Sequence, residues 1–289
     1  MTNENKNENK NSNLIYKILF VVFTVAFVVI VGIMVRNWIV EQKAKENFDK
    51  LQNQTQTESE LESETTTESQ TETETETEPE VDILEQLGIT VPEKNLDWNA
   101  LWETNEDIYA WVYIPNTNID YPVLQHEVDD TYYLDYNLDG SKGYPGCIYS
   151  ERKYNSKSFL DFNTLIYGHN MKDGTMFKHL HLFEDDTFFN ENRYAYIYMP
   201  DGEVYVYDIF AAYVWDDTHI IAEYGLTTDY QREIYLDELF NIRDMSANFR
   251  EGVEVDKDSK ILTMVTCIGG RPNNRYLVQG VMVNPPTEE

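Results

Sequence analysis

Residues 109–115, YAWVYIP, and residues 119–124, IDYPVL, are two β-branched and aromatic runs separated only by Asn116, Thr117 and Asn118. Short runs of this composition around a polar turn read as a β-hairpin, and the same pattern recurs along the rest of the chain. Further runs of the same kind occupy residues 146–150, 164–167, 194–199, 203–215, 260–266 and 275–283. Asp201 and Gly202 form the turn chemistry between two of them. About eight strands at this spacing predict a mainly β fold, a closed and mainly antiparallel barrel. Helical patterns lie at its start and within it. Residues 81–87 have apolar side chains at helical spacing, and residues 96–105 come next with Asp97 as N-cap. Residues 176–183 form a short helical pattern. Residues 229–245 form a long inserted one, with Ile234, Leu236, Leu239, Phe240 and Ile242 as its apolar face.

Upstream of the barrel the chain changes character twice. Residues 18–35, ILFVVFTVAFVVIVGIMV, carry no charge, and as a helix they cover about 27 Å, the thickness of a bilayer's hydrocarbon layer. A cleavable signal peptide competes with a membrane span here. Its apolar region is normally shorter, about 7–15 residues, and ends in small residues, whereas Arg36, Asn37 and Trp38 come after this one. The uncleaved anchor is therefore the expected reading. Lys and Arg lie on both flanks, so charge does not set the orientation. Residues 36–80 are expected to be a stalk. From Thr55 to Glu80 it is almost entirely Thr, Glu, Ser and Gln, too polar to fold and extended by its own charge. The organisation expected is thus 1–17 before the membrane, 18–35 across it, 36–80 as spacer and 81–289 as the functional domain.

The 289 residues carry 22 Lys and Arg against 52 Asp and Glu, a net charge of −30, which argues against a nucleic-acid partner. Two cysteines cannot build a disulfide scaffold or a thiolate metal cage. Cys147 lies in a strand-like run and reads as a buried free thiol. Cys267 ends the run ILTMVTC, and Gly269, Gly270 and Pro272 break the strand after it. A thiol at a strand end is accessible, although cysteine is also a common core residue. His169 lies at the end of another run, in residues 164–170, TLIYGHN, and Arg275 opens the strand after the Cys267 loop. Singly, each has a plain structural explanation. Together, a thiol, an imidazole and a guanidinium at strand ends are a minimal set for thiol acyl transfer. The imidazole can protonate a leaving amine, and the guanidinium can favour a thiolate or a developing oxyanion. His179 and His181 do not share a helical face, so they do not read as a metal site; no metal or cofactor is expected. His126 and His219 rank below His169 as a base because neither lies in the Gly-His string.

Residues 167–177, YGHNMKDGTMF, then residues 263–267, TMVTC, and then Arg275 resemble the sortase family, specifically its class B. The resemblance covers residues 96–283, including the 229–245 helix. It implies a membrane-anchored cysteine transpeptidase of Gram-positive bacteria with an eight-stranded sortase-like barrel. Such an enzyme cuts a C-terminal sorting signal after Thr and joins the new carboxyl end to a cell-wall amine. By that resemblance Cys267 is the nucleophile, His169 the general acid and base, and Arg275 the oxyanion stabiliser. Tyr167, Thr266, Ile220 and Ile221 fall where the family lines its substrate groove. Met264 and Val265 replace the usual Leu and Ser, which alters substrate contacts rather than chemistry. The implied partners are surface proteins bearing sorting signals and a peptidoglycan precursor or another amine acceptor. The implied location is the cell membrane, with the N-terminus cytoplasmic and the domain outside. A noncatalytic peptide-binding module and a thiol peptidase that passes the acyl group to water are the alternatives.

Overall fold

The alternating aromatic and β-branched residues form strands where expected, and their pairing closes a barrel. The computed structural model describes residues 4–57 and 83–286. In chain order it contains α1 (Glu4–Thr57), α2 (Ile83–Gln86), α3 (Trp98–Thr104), β1 (Ile108–Tyr113), β2 (Asp120–Leu124), α4 (Tyr132–Asp135), β3 (Ile148–Tyr149) and β4 (Asn163–Tyr167). A 3-10 helix (Phe177–Glu184) comes next, then α5 (Asp186–Glu191), β5 (Tyr194–Tyr198), β6 (Val204–Asp216), α6 (Ile220–Tyr224), α7 (Asp229–Phe240), β7 (Asn248–Phe249), β8 (Ile261–Ile268) and β9 (Arg271–Met282). The strand order β5-β1-β2-β3-β4-β8-β9-β6 returns to β5, so eight strands form a closed ring, and β7 is a two-residue addition to β6. Pairings are antiparallel except β2–β3 and β4–β8, which are parallel. β6 makes closure possible: residues 204–208 pair with β5 and residues 207–216 with β9.

Trp111, Val112, Ile114, Ile148, Ile166, Tyr207 and Val278 are among the fully buried residues of the main core. A second core lies outside the barrel wall, where Tyr235, Leu236 and Leu239 of α7 pack with Phe210, Tyr213 and Leu277. Here the expected helix face is corrected. α7 ends at Phe240 rather than residue 245, Ile234 and Phe240 are exposed, and Tyr235 takes the buried place. The reason is polar: the Tyr235 hydroxyl accepts a 2.6 Å bond from Gln279 Nε2 inside the wall. The helical reading of 176–183 is realised as the 3-10 turn, and β9 begins four residues earlier than Arg275, at Arg271.

α1 contains the apolar segment and continues well past it. Tyr16–Asn53 is long and apolar enough to cross a membrane. Residues 36–57, expected as stalk, are instead helical, and residues 58–80 of that stalk lie outside the described residues. Ala44, Phe48 and Leu51 explain the difference. At i, i+4 and i+7 they form one buried stripe, and the Phe48 ring packs edge-on to Tyr121 at 5.5 Å.

Candidate active site

The parallel pairing of β4 with β8 brings two strand ends to one rim of the barrel. Tyr167 pairs with Val265, so His169 and Cys267 lie two residues beyond the same point of the ladder. Gly269 and Gly270 then reverse the chain, and β9 returns with Arg275 directly opposite Cys267. Gly270 has φ +77°, a conformation that suits glycine. Three residues scattered over more than 100 positions are thus gathered by register alone. They line one cleft of about 380 Å³ together with Tyr149, Glu151, Tyr167, Trp215, His219, Ile220, Val265 and Thr266.

Local packing holds each group. Gly168 has no room for a side chain: a Cβ there would come within 2.5 Å of Ile148 and 2.7 Å of the Phe177 ring. The close packing of β4 on β3 and the 3-10 turn therefore fixes the entry of His169. Thr266 faces away from Cys267 by strand alternation, and its hydroxyl donates to the Gly168 carbonyl at 2.8 Å, fastening β4 to β8 just before His169. His169 Nε2 lies 2.8 Å from the Leu134 carbonyl and the ring meets Tyr144 edge-on at 5.0 Å. A carbonyl only accepts, so Nε2 carries the hydrogen of this bond and Nδ1 is left to exchange a proton. Arg275 Nη1 donates to the carbonyls of Pro272 and Asn274 at 2.9 and 3.0 Å, fixing the guanidinium at the rim. Cys267 is exposed and Cys147 is buried, and both are free thiols. Burial pushes the Cys147 thiol well above its ordinary pKa.

The electrostatics reach across the cleft. Burial lifts the Tyr149 hydroxyl above its usual range, Glu151 and Cys267 add to the rise, and Arg275 opposes it. Tyr167 stacks on Tyr149 at 5.5 Å, and its hydroxyl is raised first by burial and then by the charge of Glu151. Glu151 is itself held by His219, with Oε2 2.6 Å from Nε2. His219 Nδ1 accepts the Ala222 N–H at 3.2 Å, so Nε2 is the donor toward the carboxylate.

Most of the expected residues meet at the cleft: Cys267, His169, Arg275, Tyr167, Thr266 and Ile220 all line it. Ile221 does not; it packs against the second core. Glu151 and His219 are cleft residues that sequence reasoning did not place there. His126 is elsewhere, accepting the N–H groups of Val128 and Asp129 and stacking on Tyr132. A larger open groove of about 1060 Å³ lies between residues 91–98 and the β5–β6 hairpin, and it has no Cys or His in its lining.

A thiol, an imidazole and a guanidinium thus share one cleft at the rim of a closed barrel, and sequence comparison places the chain in a family. The sortase domain model matches residues 112–283. Sortase B of Listeria monocytogenes is 35% identical over 63% of this chain and 72% of its own length. Sortase B of Staphylococcus aureus is 27% identical over 59% of this chain and 67% of its own. The crystal structure of Clostridium perfringens sortase B superposes with a TM-score of 0.56 at 28% identity, covering 64% of this chain and 99% of that one. The chain belongs to the sortase family and is an enzyme of the sortase B type.

Proposed function

We propose that the chain is a membrane-anchored transpeptidase that cleaves a C-terminal sorting signal after Thr and transfers the protein to a cell-wall amine. The observation that carries this is the register placing Cys267 opposite Arg275, beside the strand end that bears His169, around one cleft. In the first half-reaction the Cys267 thiolate forms a C–S bond to the Thr carbonyl carbon. Arg275 donates hydrogen bonds to the resulting oxyanion through the guanidinium hydrogens not committed to Pro272 and Asn274. The C–N bond then breaks, the leaving amine takes a proton from the His169 imidazolium, and a thioester remains. In the second half-reaction an acceptor amine attacks that thioester, loses a proton to His169, and expels the thiolate. Dividing amide exchange into two transfers lowers each barrier.

The membrane side of the reading rests on α1. Residues 18–35 form the single span, the N-terminus lies in the cytoplasm and the catalytic domain lies outside, where both a sorting signal and a wall precursor are found. The substrates are surface proteins with sorting signals, and the acceptor is a peptidoglycan precursor or a comparable amine.

The test is acyl capture. Peptides carrying LPxTG-like or NPxTx-like signals are incubated with the enzyme and the intact mass is read. A peptide adduct on Cys267 that an added amine releases as a new amide is expected, and Cys267→Ala abolishes it. Absence of any adduct across the library overturns the proposal. Release to water alone, with no amine incorporated, identifies a hydrolase instead.

A further inference from the structure

The carbonyl oxygen of Cys267 is the first on its side of β8 that β4 fails to reach. The last ladder bond there runs from the Gly168 N–H to the Val265 carbonyl at 3.1 Å. Carbonyls alternate sides along a strand, so the next one facing β4 belongs to Cys267. A straight continuation of β4 would answer it with the backbone of Asn170. That backbone has turned away and forms a bridge with Met176. Two side chains take the vacant place: Asn170 Nδ2 lies 2.8 Å and His181 Nε2 lies 3.0 Å from the Cys267 oxygen.

His181 is fixed from three directions. Its Nδ1 lies 2.6 Å from Glu184 Oε1, its ring stacks on Tyr276 at 5.0 Å and 23°, and its Nε2 lies 3.0 Å from Asn170 Nδ2. Its side chain is 13% exposed. Tyr276 is buried and adjoins Arg275 on β9, so the ring that holds the thiol's own peptide rests on the neighbour of the guanidinium. A carboxylate accepts only, so Nδ1 carries a hydrogen. Nε2 then either donates to the Cys267 carbonyl, giving a cation balanced by Glu184, or accepts from Asn170. In the first state His181 holds the Cys267 carbonyl directly, and in the second it holds it through Asn170.

We propose that His181, clamped by Glu184 and Tyr276, is a positioning residue for Cys267: with Asn170 it replaces the missing strand partner and fixes the peptide that aims Sγ into the cleft. The proposal rests on Cys267 being the nucleophile. An error of about 1 Å at a reacting atom costs up to roughly 100-fold in rate, so losing this hold should lower kcat and leave substrate binding largely alone.

The experiment compares wild type, His181→Leu, His181→Gln and Glu184→Leu by two readouts: acyl transfer kinetics and the rate at which iodoacetamide alkylates Cys267. For His181→Leu, kcat is expected to fall about tenfold or more with KM within about twofold, and alkylation to slow in parallel. The Gln side chain places an amide donor near the position of Nε2 and should recover most of both. Glu184 is a surface residue, so its Leu variant keeps the fold and should show a smaller loss in the same direction. An unchanged kcat in a folded Leu variant, a Gln variant as impaired as Leu, or an unaffected Glu184→Leu overturns the proposal. If wild type forms no adduct with any sorting peptide while alkylation still depends on His181, the transpeptidase reading falls and the positioning role stands. Normal acyl transfer with neither rate responding to His181 gives the reverse.

Discussion

Cys147 and Cys267 are the same side chain in opposite surroundings, and the contrast gives a direct prediction. Cys147 is 1% exposed with its sulfur 3.6 Å from the Tyr136 carbonyl, and burial keeps its thiol protonated. Native protein treated with iodoacetamide should therefore be modified at Cys267 and spared at Cys147, as peptide mapping will show. Cys147→Ala should retain transfer within about twofold and lower stability by about 1–2 kcal/mol, measured by urea denaturation. Loss of transfer in a folded Cys147→Ala protein would show that both thiols are needed. Within the cleft, His219 caps α6 and bonds Glu151. Its removal should loosen a substrate-facing surface without touching the reacting atoms, so His219→Ala should raise KM about three- to tenfold and leave kcat within about threefold. A collapse of kcat with KM unchanged would instead make His219 part of the chemistry. The contrast with His169 shows what could be read in advance. His169 and Cys267 stand at the ends of apolar runs and announce themselves as rim residues, whereas His219 meets Glu151 across 68 positions and His181 meets Cys267 across 86. Ile220 and Ile221 were equivalent as neighbours in sequence. The turn into α6 buries Ile220 between the cleft and the outer core, while Ile221 packs on that core alone.

At the scale of elements, the wall beneath the site is held by a buried polar network rather than by apolar contacts alone. Gln279 of β9 accepts from the Tyr213 hydroxyl at 3.0 Å, and its Nε2 donates to Tyr235 and Thr263 at 2.6 Å each. Thr263 in turn donates to Asn163 at 2.7 Å, so the network runs from β6 through β9 and β8 to β4 and includes α7. Each of these residues is buried, and a severed member leaves its partners without water. Gln279→Leu is expected to cost about 2–4 kcal/mol in urea denaturation, more than its change in apolar surface would suggest. A change below about 0.5 kcal/mol would mean that the network is not a source of stability. This network also explains why the strands were legible and the α7 face was not. Strand runs announce themselves by composition, and the hairpin at residues 116–118 and the turn at Asp201–Gly202 fall where their residues require. Counting apolar side chains on 229–245 selects Ile234 and Phe240 and passes over Tyr235, whose burial depends on a polar partner in β9. The start of the same helix was marked by a different signal. Thr228 and Gln231 form a reciprocal capping box, and the chain beyond Phe240 has no comparable continuation.

Considered whole, the molecule joins its apolar helix to the loop that follows His169. The loop between His169 and Phe177 carries Asp173, which faces Lys45 of α1 at 3.4 Å, while Phe48 packs on Tyr121 and Tyr121 accepts the Met176 N–H at 3.1 Å. From Val35 to Ala44 the helix rises about 14 Å, so in the membrane-anchored reading α1 itself sets the height of the barrel above the bilayer. That arrangement was hidden from the sequence because the apolar run ends at Val35, and the stripe of Ala44, Phe48 and Leu51 is too sparse to register as hydrophobic. It also has a pH sense. Burial raises the Asp173 carboxyl, but hydrogen bonds from Thr175 and the charge of Lys45 outweigh it and hold the group below its ordinary range. A depressed carboxylate contributes stability above its unfolded pKa and loses it as the pH falls through the folded one, so docking should be complete at neutral pH and weaken in acid. Full-length protein in nanodiscs, with a donor dye on Cys267 and acceptor dye on the lipid, tests both claims. At pH 7 the native protein should give one narrow distribution of transfer efficiency, since the barrel is held by a continuous helix. Phe48→Asp with Leu51→Asp should broaden that distribution, because a buried stripe cannot accept two carboxylates. Stepwise acidification from pH 7 to below the usual Asp pKa near 3.9 should progressively broaden the native distribution in the same direction. If the double variant at pH 7 is as narrow as the native protein, α1 does not fix the barrel.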